Sequence, residues 1–219
     1  MSTIAVVPVK RFGDAKQRLA DHIGEPTRKA LSEAMVTDVL IALRRAQRVD
    51  RVIVVTNEPA AEALANGYDA EPVLDSDGET SHSSAALVGV RSARERGARR
   101  VLLVPGDCPA LDPKEVDALI EGAGEAPEVL VIPDRHGTGT NALLLSPPDV
   151  MEPSFGPGSA ARHVELARAA GASAALREVP SLALDVDTFE DLQALRDALA
   201  GVIGGAAHTR GMLNRLARR

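Results

Sequence analysis

The chain is poor in aromatic rings: its 219 residues include no Trp, one Tyr and three Phe. Proteins that stack single-stranded nucleic acid need rows of exposed rings, so that class is excluded. The core must instead be built from Val, Leu, Ile and Ala. Cysteine is nearly absent as well. A single residue, Cys108, rules out an intramolecular disulfide and a cysteine-based zinc site. Nor is there a surplus of cations, since 25 Lys and Arg face 31 Asp and Glu for a formal net charge of −6. A general polyanion-binding surface, and with it a nucleic-acid partner, is not expected. A small anionic ligand needs only a few local cations and stays open. No apolar run approaches the ~20 residues that cross a bilayer. The N-terminal MSTIAVVPVK lacks the basic and apolar regions of a signal peptide. The expectation is a cytoplasmic protein with no membrane partner.

What the chain does have is a 45% hydrophobic fraction, enough for a sizeable core in one domain. Short β-branched runs alternate with amphipathic stretches, the pattern of a doubly wound α/β fold. The reading places strands at 3–9, 51–56, 72–74, 101–104, 129–132, 142–145 and 182–185. Helices are placed at 26–47, 58–66, 84–96, 113–121, 159–170 and 188–200. Residues 1–200 form the expected domain. The Gly- and Arg-rich stretch 201–219 is read as a basic C-terminal tail, either flexible or a peripheral helix, and a homodimer contact there is compatible with the sequence.

In a doubly wound sheet, ligands sit at the carboxyl ends of strands, and here those ends carry charge. The first strand ends in Pro8-Val9-Lys10 and is followed by Arg11, Lys16 and Arg18. The fourth runs into Pro105-Gly106-Asp107-Cys108-Pro109, and the fifth into Asp134-Arg135-His136-Gly137-Thr138-Gly139-Thr140-Asn141. The last ends in Asp185-Val186-Asp187. Side chains two apart on a strand face the same way, with Cα atoms ~6–7 Å apart. Asp185 and Asp187 would then repel each other unless a cation lay beside them. Gly106 is expected to let the backbone turn sharply and expose Asp107. Three carboxylates without His or Cys partners suit Mg²⁺. Helix capping by Asp187 or Thr188, and a turn role for Asp107, account for the same residues.

Lys10, Arg11, Lys16 and Arg18 could neutralise a triphosphate and a departing pyrophosphate. No GxxxxGK[ST] loop is present, and solvated surface cations are the alternative. Phe155-Gly156-Pro157-Gly158-Ser159 offers open backbone N–H groups at a helix start, suited to phosphate or carboxylate. An ordinary helix entry explains it too. The loop from Gly137 to Asn141 looks like a second anion-contacting turn. His136 and His163 are isolated and are read as structural or exposed, and Cys108 as packing.

Together these segments resemble the 2-phospho-L-lactate/phosphoenolpyruvate guanylyltransferase family of coenzyme F(420) biosynthesis. The likeness rests on Pro8-Val9-Lys10, Ala15-Lys16-Gln17-Arg18-Leu19, the segments around Asp107 and Thr140, Gly156-Pro157-Gly158-Ser159 and Leu184-Asp185-Val186-Asp187, over about residues 4–200. The resemblance implies a single-domain nucleotidyltransferase-like (Rossmann-like) α/β fold, with a mixed, mainly parallel sheet flanked by helices. It implies Mg²⁺ on Asp107, Asp185 and Asp187. Thr140, Gly156 and Ser159 would contact the phosphorylated acceptor, while Pro8, Lys10, Lys16, Arg18 and Asp107 would face the nucleotide, with Lys16 also catalytic. The implied partners are GTP and a small phosphorylated carboxylic acid, phosphoenolpyruvate ahead of 2-phospho-L-lactate. Ser84 stands where members often carry an Asn that helps hold the nucleotide. A nucleotide-sugar glycosyltransferase and a non-catalytic nucleotide-binding module are the competing classes.

Overall fold

The computed structural model describes residues 1–75, 81–202 and 204–217. All seven residues of β1 (Thr3–Val9) are buried, as a strand covered on both faces requires. It pairs in parallel with β2 (Arg51–Thr56) and with β4 (Arg100–Leu103), and β2 pairs in parallel with β3 (Glu71–Leu74). Beyond β4 lies β6 (Thr140–Ser146), antiparallel both to β4 and to β5 (Glu128–Pro133). Finally β7 (Ser173–Leu176) runs parallel to β5. The order β3-β2-β1-β4-β6-β5-β7 gives a mixed sheet in which β6 alone is reversed. That reversal delivers the first residue of β6, Thr140, to the rim where β1, β4 and β5 end.

One face of the sheet is covered by α1 (Glu25–Arg45), α2 (Pro59–Gly67) and α4 (Pro113–Glu121). Val7, Val54, Leu102 and Leu144 form the core beneath them. The other face carries α3 (His82–Glu95) and α5 (Ser159–Ala169) over Val6, Ile53, Leu103 and Leu143. The alternation of neighbouring residues between two clusters is the period of two expected of strands. Among the described residues, no helix is long and apolar enough to cross a membrane.

Two features depart from the expectation. Residues 182–185 are not a strand: Pro180–Leu182 makes one 3-10 turn, and Leu182 is buried under the sheet. The true last strand, β7, was hidden because Ser173-Ala174-Ala175-Leu176 is short, carries little β-propensity and lies at a sheet edge. The stretch read as a flexible tail or a peripheral helix holds a helix, α7 (Ala207–Leu216), whose Leu213 packs with Leu31 and Met35 of α1 and Leu199 of α6 (Phe189–Ala200). The buried Asp38 of α1 accepts the N–H groups of His208 (3.1 Å) and Thr209 (2.7 Å), fixing the free donors at the start of α7. Ile203, Arg218 and Arg219 of that stretch lie outside the described residues.

Candidate active site

A cleft of about 600 Å³ opens at the rim of the sheet. Pro8 and the cations Lys10, Lys16 and Arg18 line it, as do the carboxylates Asp107, Asp185 and Asp187. Thr140, Gly156 and Ser159 line it as well. The cations, carboxylates and hydroxyls singled out in sequence are thus brought together, except Arg11, which is exposed and does not border the cleft; Gly137 and Gly158 of the two glycine loops do not line it either.

Lys16 adopts a left-handed backbone (φ 57°, ψ 39°) just before the 3-10 turn Gln17–Leu19. This turns its chain inward until only 7% of it is exposed. Its ammonium pairs with the Asp107 carboxylate and lies 2.9 Å from Asp187 Oδ1. Burial alone would push the Lys16 pKa down, but the two carboxylates outweigh it and hold it well above the usual lysine value. For Asp107, burial pushes upward and the Lys16 charge outweighs it, so the carboxyl stays below its ordinary value. Arg18 stands farther off, 4.0 Å from Asp187 Oδ2.

Asp185 differs from its neighbours. Burial and then the nearby Asp107 charge raise its pKa, partly opposed by the Asn141 amide, which donates to it at 3.1 Å. The Val186 N–H donates to the Asp107 carbonyl at 3.2 Å, tying the exit of β4 to the 185–187 segment. A backbone bond, not strand geometry, thus brings the three acids to one place. The helix-capping alternative goes to Thr188: the capping box of α6 joins Thr188 and Asp191. Asp191 Oδ2 also accepts the Asp187 N–H at 3.0 Å, and its Oδ1 meets Arg135 at 2.6 Å. The Asp187 side chain is left for the cleft.

Two glycine readings need correction. Gly106 does not have a positive φ. A Cβ there would lie 3.0 Å from Val36 Cγ2, so what the position favours is close approach to α1 rather than a sharp turn. The loop after β5 folds around its own Asp134, whose carboxylate accepts the N–H groups of His136 (3.1 Å), Thr138 (3.1 Å) and Gly139 (3.0 Å). Those amides are turned away from any anion in the cleft. Gly156, by contrast, has φ 118°, a conformation that needs glycine.

The side of the cleft around Thr140 is built by a bulge. Ile132 pairs with Ala142 but Pro133 pairs with Thr140, leaving Asn141 as an extra residue in β6. Asn141 therefore shares a face with Ala142 and donates to the Leu182 carbonyl at 2.7 Å and to Asp185. Thr140 points the other way, to α5. Its Oγ1 is 3.0 Å from His163 Nδ1 and accepts from Ser159 Oγ at 3.1 Å. His163 is fully buried, and its Nε2 accepts the Ser154 N–H at 2.9 Å. Sequence reading missed this role, although Ser159 and His163 are four apart on a helix and so share a face. His82 was missed too. It lines the cleft at the start of α3, with its ring edge-on to Phe155 at 4.9 Å. Ser84, which stands where family members often carry an Asn, is occupied in the capping box with Ser81. His136 is exposed, and Cys108 is buried with its thiol pushed up by that burial, which suits packing.

Cations and carboxylates gathered on the strand-end rim of a mainly parallel sheet are the arrangement a nucleotidyltransferase needs, and the relatives of this chain are of that class. Solved structures agree on the fold. A nucleotidyl transferase from Methanothermobacter thermautotroptrophicus superposes with a TM-score of 0.66 at 20% identity, covering 90% of this chain and 97% of its own. Rv0371c from Mycobacterium tuberculosis H37Rv, solved in complex with manganese, gives 0.55 at 20% identity, covering 90% and 100%. The chain belongs to the family described as "Guanylyl transferase CofC like", whose model matches residues 3–216. A relative from Conexibacter woesei named phosphoenolpyruvate guanylyltransferase is 55% identical over 219 residues, 100% of this chain and 98% of the relative. One of the same name from Sphaerobacter thermophilus is 40% identical over 195 residues, covering 89% and 93%.

Proposed function

We propose that this protein transfers the guanylyl group of GTP to phosphoenolpyruvate, releasing pyrophosphate, in coenzyme F(420) biosynthesis. The observation that carries this reading is the division of one cleft into a carboxylate–cation side and a hydroxyl- and glycine-lined side, on a chain whose relatives bear that name. A phosphate oxygen of the acceptor attacks the α-phosphorus in line. Phosphate is already a competent nucleophile, so no general base is needed. Both substrates are anionic, and the main task is to hold them together against repulsion. Positioning is worth several kcal/mol, on the order of 7.

Lys10, Lys16 and Arg18, with Pro8 beside them, would face the triphosphate and the leaving pyrophosphate. Thr140, Gly156 and Ser159 would hold the acceptor. The acids fit a divalent cation, Mg²⁺ in this reading. Two carboxylates, Asp107 and Asp187, converge on one buried ammonium, and Asp185 beside them has its pKa raised, first by burial and then by the Asp107 charge, which a cation would relieve. Among the described residues, no three His, Cys, Asp or Glu side chains already stand at metal-ligand spacing, because Lys16 lies between Asp107 and Asp187. Asp107, Asp185 and Asp187 are the residues that would hold the ion, and its charge would stabilise the transferring phosphoryl group. Two phosphorylated, membrane-impermeant substrates match a cytoplasmic setting.

The test is to incubate the protein with GTP and Mg²⁺ against a panel of phosphorylated three-carbon acids and follow pyrophosphate release. Release with phosphoenolpyruvate above all others supports the reading. Preference for 2-phospho-L-lactate would replace the acceptor, and release with no acid would sink the proposal.

A further inference from the structure

The cleft is lined by two hydroxyls, those of Thr140 and Ser159, backed by the buried imidazole of His163, and their hydrogen bonds can be counted. Thr140 and Ser159 have one proton each and bond to one another, which uses one of the two. The fate of the second depends on His163. If Nδ1 accepted, it would consume that proton and the pair would show only lone pairs to the cleft, where an anion would be repelled. If Nδ1 donates, the second proton is left for a ligand. The Ser154 contact decides between these cases, because a backbone N–H can only donate and therefore requires an unprotonated Nε2. The one proton of a neutral imidazole must then sit on Nδ1, 3.0 Å from Thr140 Oγ1.

From this geometry we infer that His163 is a positioning residue for the acceptor: as a fixed Nδ1–H donor, it makes the Thr140–Ser159 hydroxyl pair a net donor to the acceptor's anionic group. The inference rests on the proposed acceptor side of the cleft. His163 itself touches no substrate, being fully buried behind Thr140. Its protonation state agrees: burial, and then the nearby Arg162 charge, lower its pKa to about 4, so it is neutral at ordinary pH. Phe155, edge-on to the ring at 5.2 Å, helps hold its plane.

Two amide substitutions separate the two ring nitrogens. His163→Asn places an N–H near the Nδ1 position and gives up the Ser154 contact. His163→Gln places its carbonyl near the Nε2 position, keeps the Ser154 contact and loses the donor to Thr140. With the full-length protein, saturating GTP and varied phosphoenolpyruvate, His163→Gln should raise the acceptor KM about tenfold or more, the worth of a hydrogen bond to a charged group. Its kcat and GTP KM should stay within about twofold, since uniform binding is what is lost. His163→Asn should keep an acceptor KM within about threefold of the wild type. In a Thr140→Val background, His163→Gln should add no further increase. Equal effects of Asn and Gln, a rise in GTP KM alongside, or a full additional effect beside Thr140→Val would overturn the inference. Wild-type protein that transfers guanylyl to no phosphorylated acid would instead remove the functional reading beneath it.

Discussion

Replacing Lys16 with Met tests the electrostatic centre of the site, because the isosteric chain removes the ammonium and leaves its carboxylates facing one another. Lys16 is 7% exposed and Asp107 27%, so their pair is the buried half of the arrangement. Breaking a buried pair from one side costs about 3–5 kcal/mol, which access of cleft water to Asp107 reduces to about 2–3. Asp187 is 48% exposed, so its share is screened and amounts to less than about 1 kcal/mol. In a chain of this length each kcal/mol moves the melting temperature by about 2–4 °C. A fall of roughly 5–10 °C at pH 7 is expected.

The pH dependence fixes the cause. With Lys16 present, the folded Asp107 pKa lies below its unfolded value, so that contribution is present above the unfolded ~3.9 and lost as pH falls through the folded pKa. Without Lys16, burial and the neighbouring acids raise it, and stability is instead lost as pH rises. The gap between the two proteins should therefore narrow as pH falls from 7 to about 4 and close as pH falls further, through the folded Asp107 pKa. Added Mg²⁺ or Mn²⁺ should raise the melting temperature of the variant more than that of the wild type, since a metal would take over the missing charge. Pyrophosphate release should fall at least about a hundredfold. Thermal denaturation across pH, with and without metal, measures all of this. A variant melting within about 2 °C of wild type at pH 7, with no pH-dependent gap, would refute the reasoning.

Asp185→Asn should abolish turnover yet melt at or above the wild-type temperature at pH 7. The fold raises the Asp185 pKa, so its charged form costs stability as pH rises through that value; full activity would remove it from the metal site. Asp191→Ala should cost about 1–2 kcal/mol by uncapping α6 and should also weaken divalent-metal binding, because Asp191 holds the Asp187 backbone. Metal titration by calorimetry would expose an unchanged affinity. Acid should destabilise the protein early. His163 has a folded pKa of about 4 against an ordinary value of 6.5, so its contribution is complete above 6.5 and lost as pH falls through 4, up to about 3 kcal/mol. His82, also lowered, first by burial, acts in the same direction. A pH-melting slope that His163→Asn leaves unchanged would contradict this assignment.

The parallel half of the sheet was legible in sequence because β1, β2 and β4 are buried runs that no helix period fits. The cleft was legible for the same reason: strand ends are where such sheets bind ligands, and charge had collected there. Other features were invisible because they depend on distant partners. Asp185-Val186-Asp187 looked like a strand, but its place is set by one bond to the Asp107 carbonyl. α7 looked detached because the Asp38 that anchors it is 171 positions from Thr209. His163 looked isolated because its partners, Ser154 and Thr140, lie on other segments.

The bulge at Asn141 explains how one strand serves both halves of the cleft. Strict alternation would put Thr140 on the face of Ala142 and Leu144, and Asn141 on the face of Leu143. The extra residue reverses this order at the rim. Asn141 then reaches Asp185 on the α1 side, while Thr140 reaches His163 and Ser159 on the α5 side. Adjacent residues thus hold a carboxylate proposed for the metal and a hydroxyl proposed for the acceptor. Their separation is fixed by a single backbone step within a buried strand rather than by two independent loops. In-line transfer depends on reacting atoms held within ~3–3.5 Å of one another. A shared strand holds that spacing through small motions of the rim, because any shift of β6 carries both groups together.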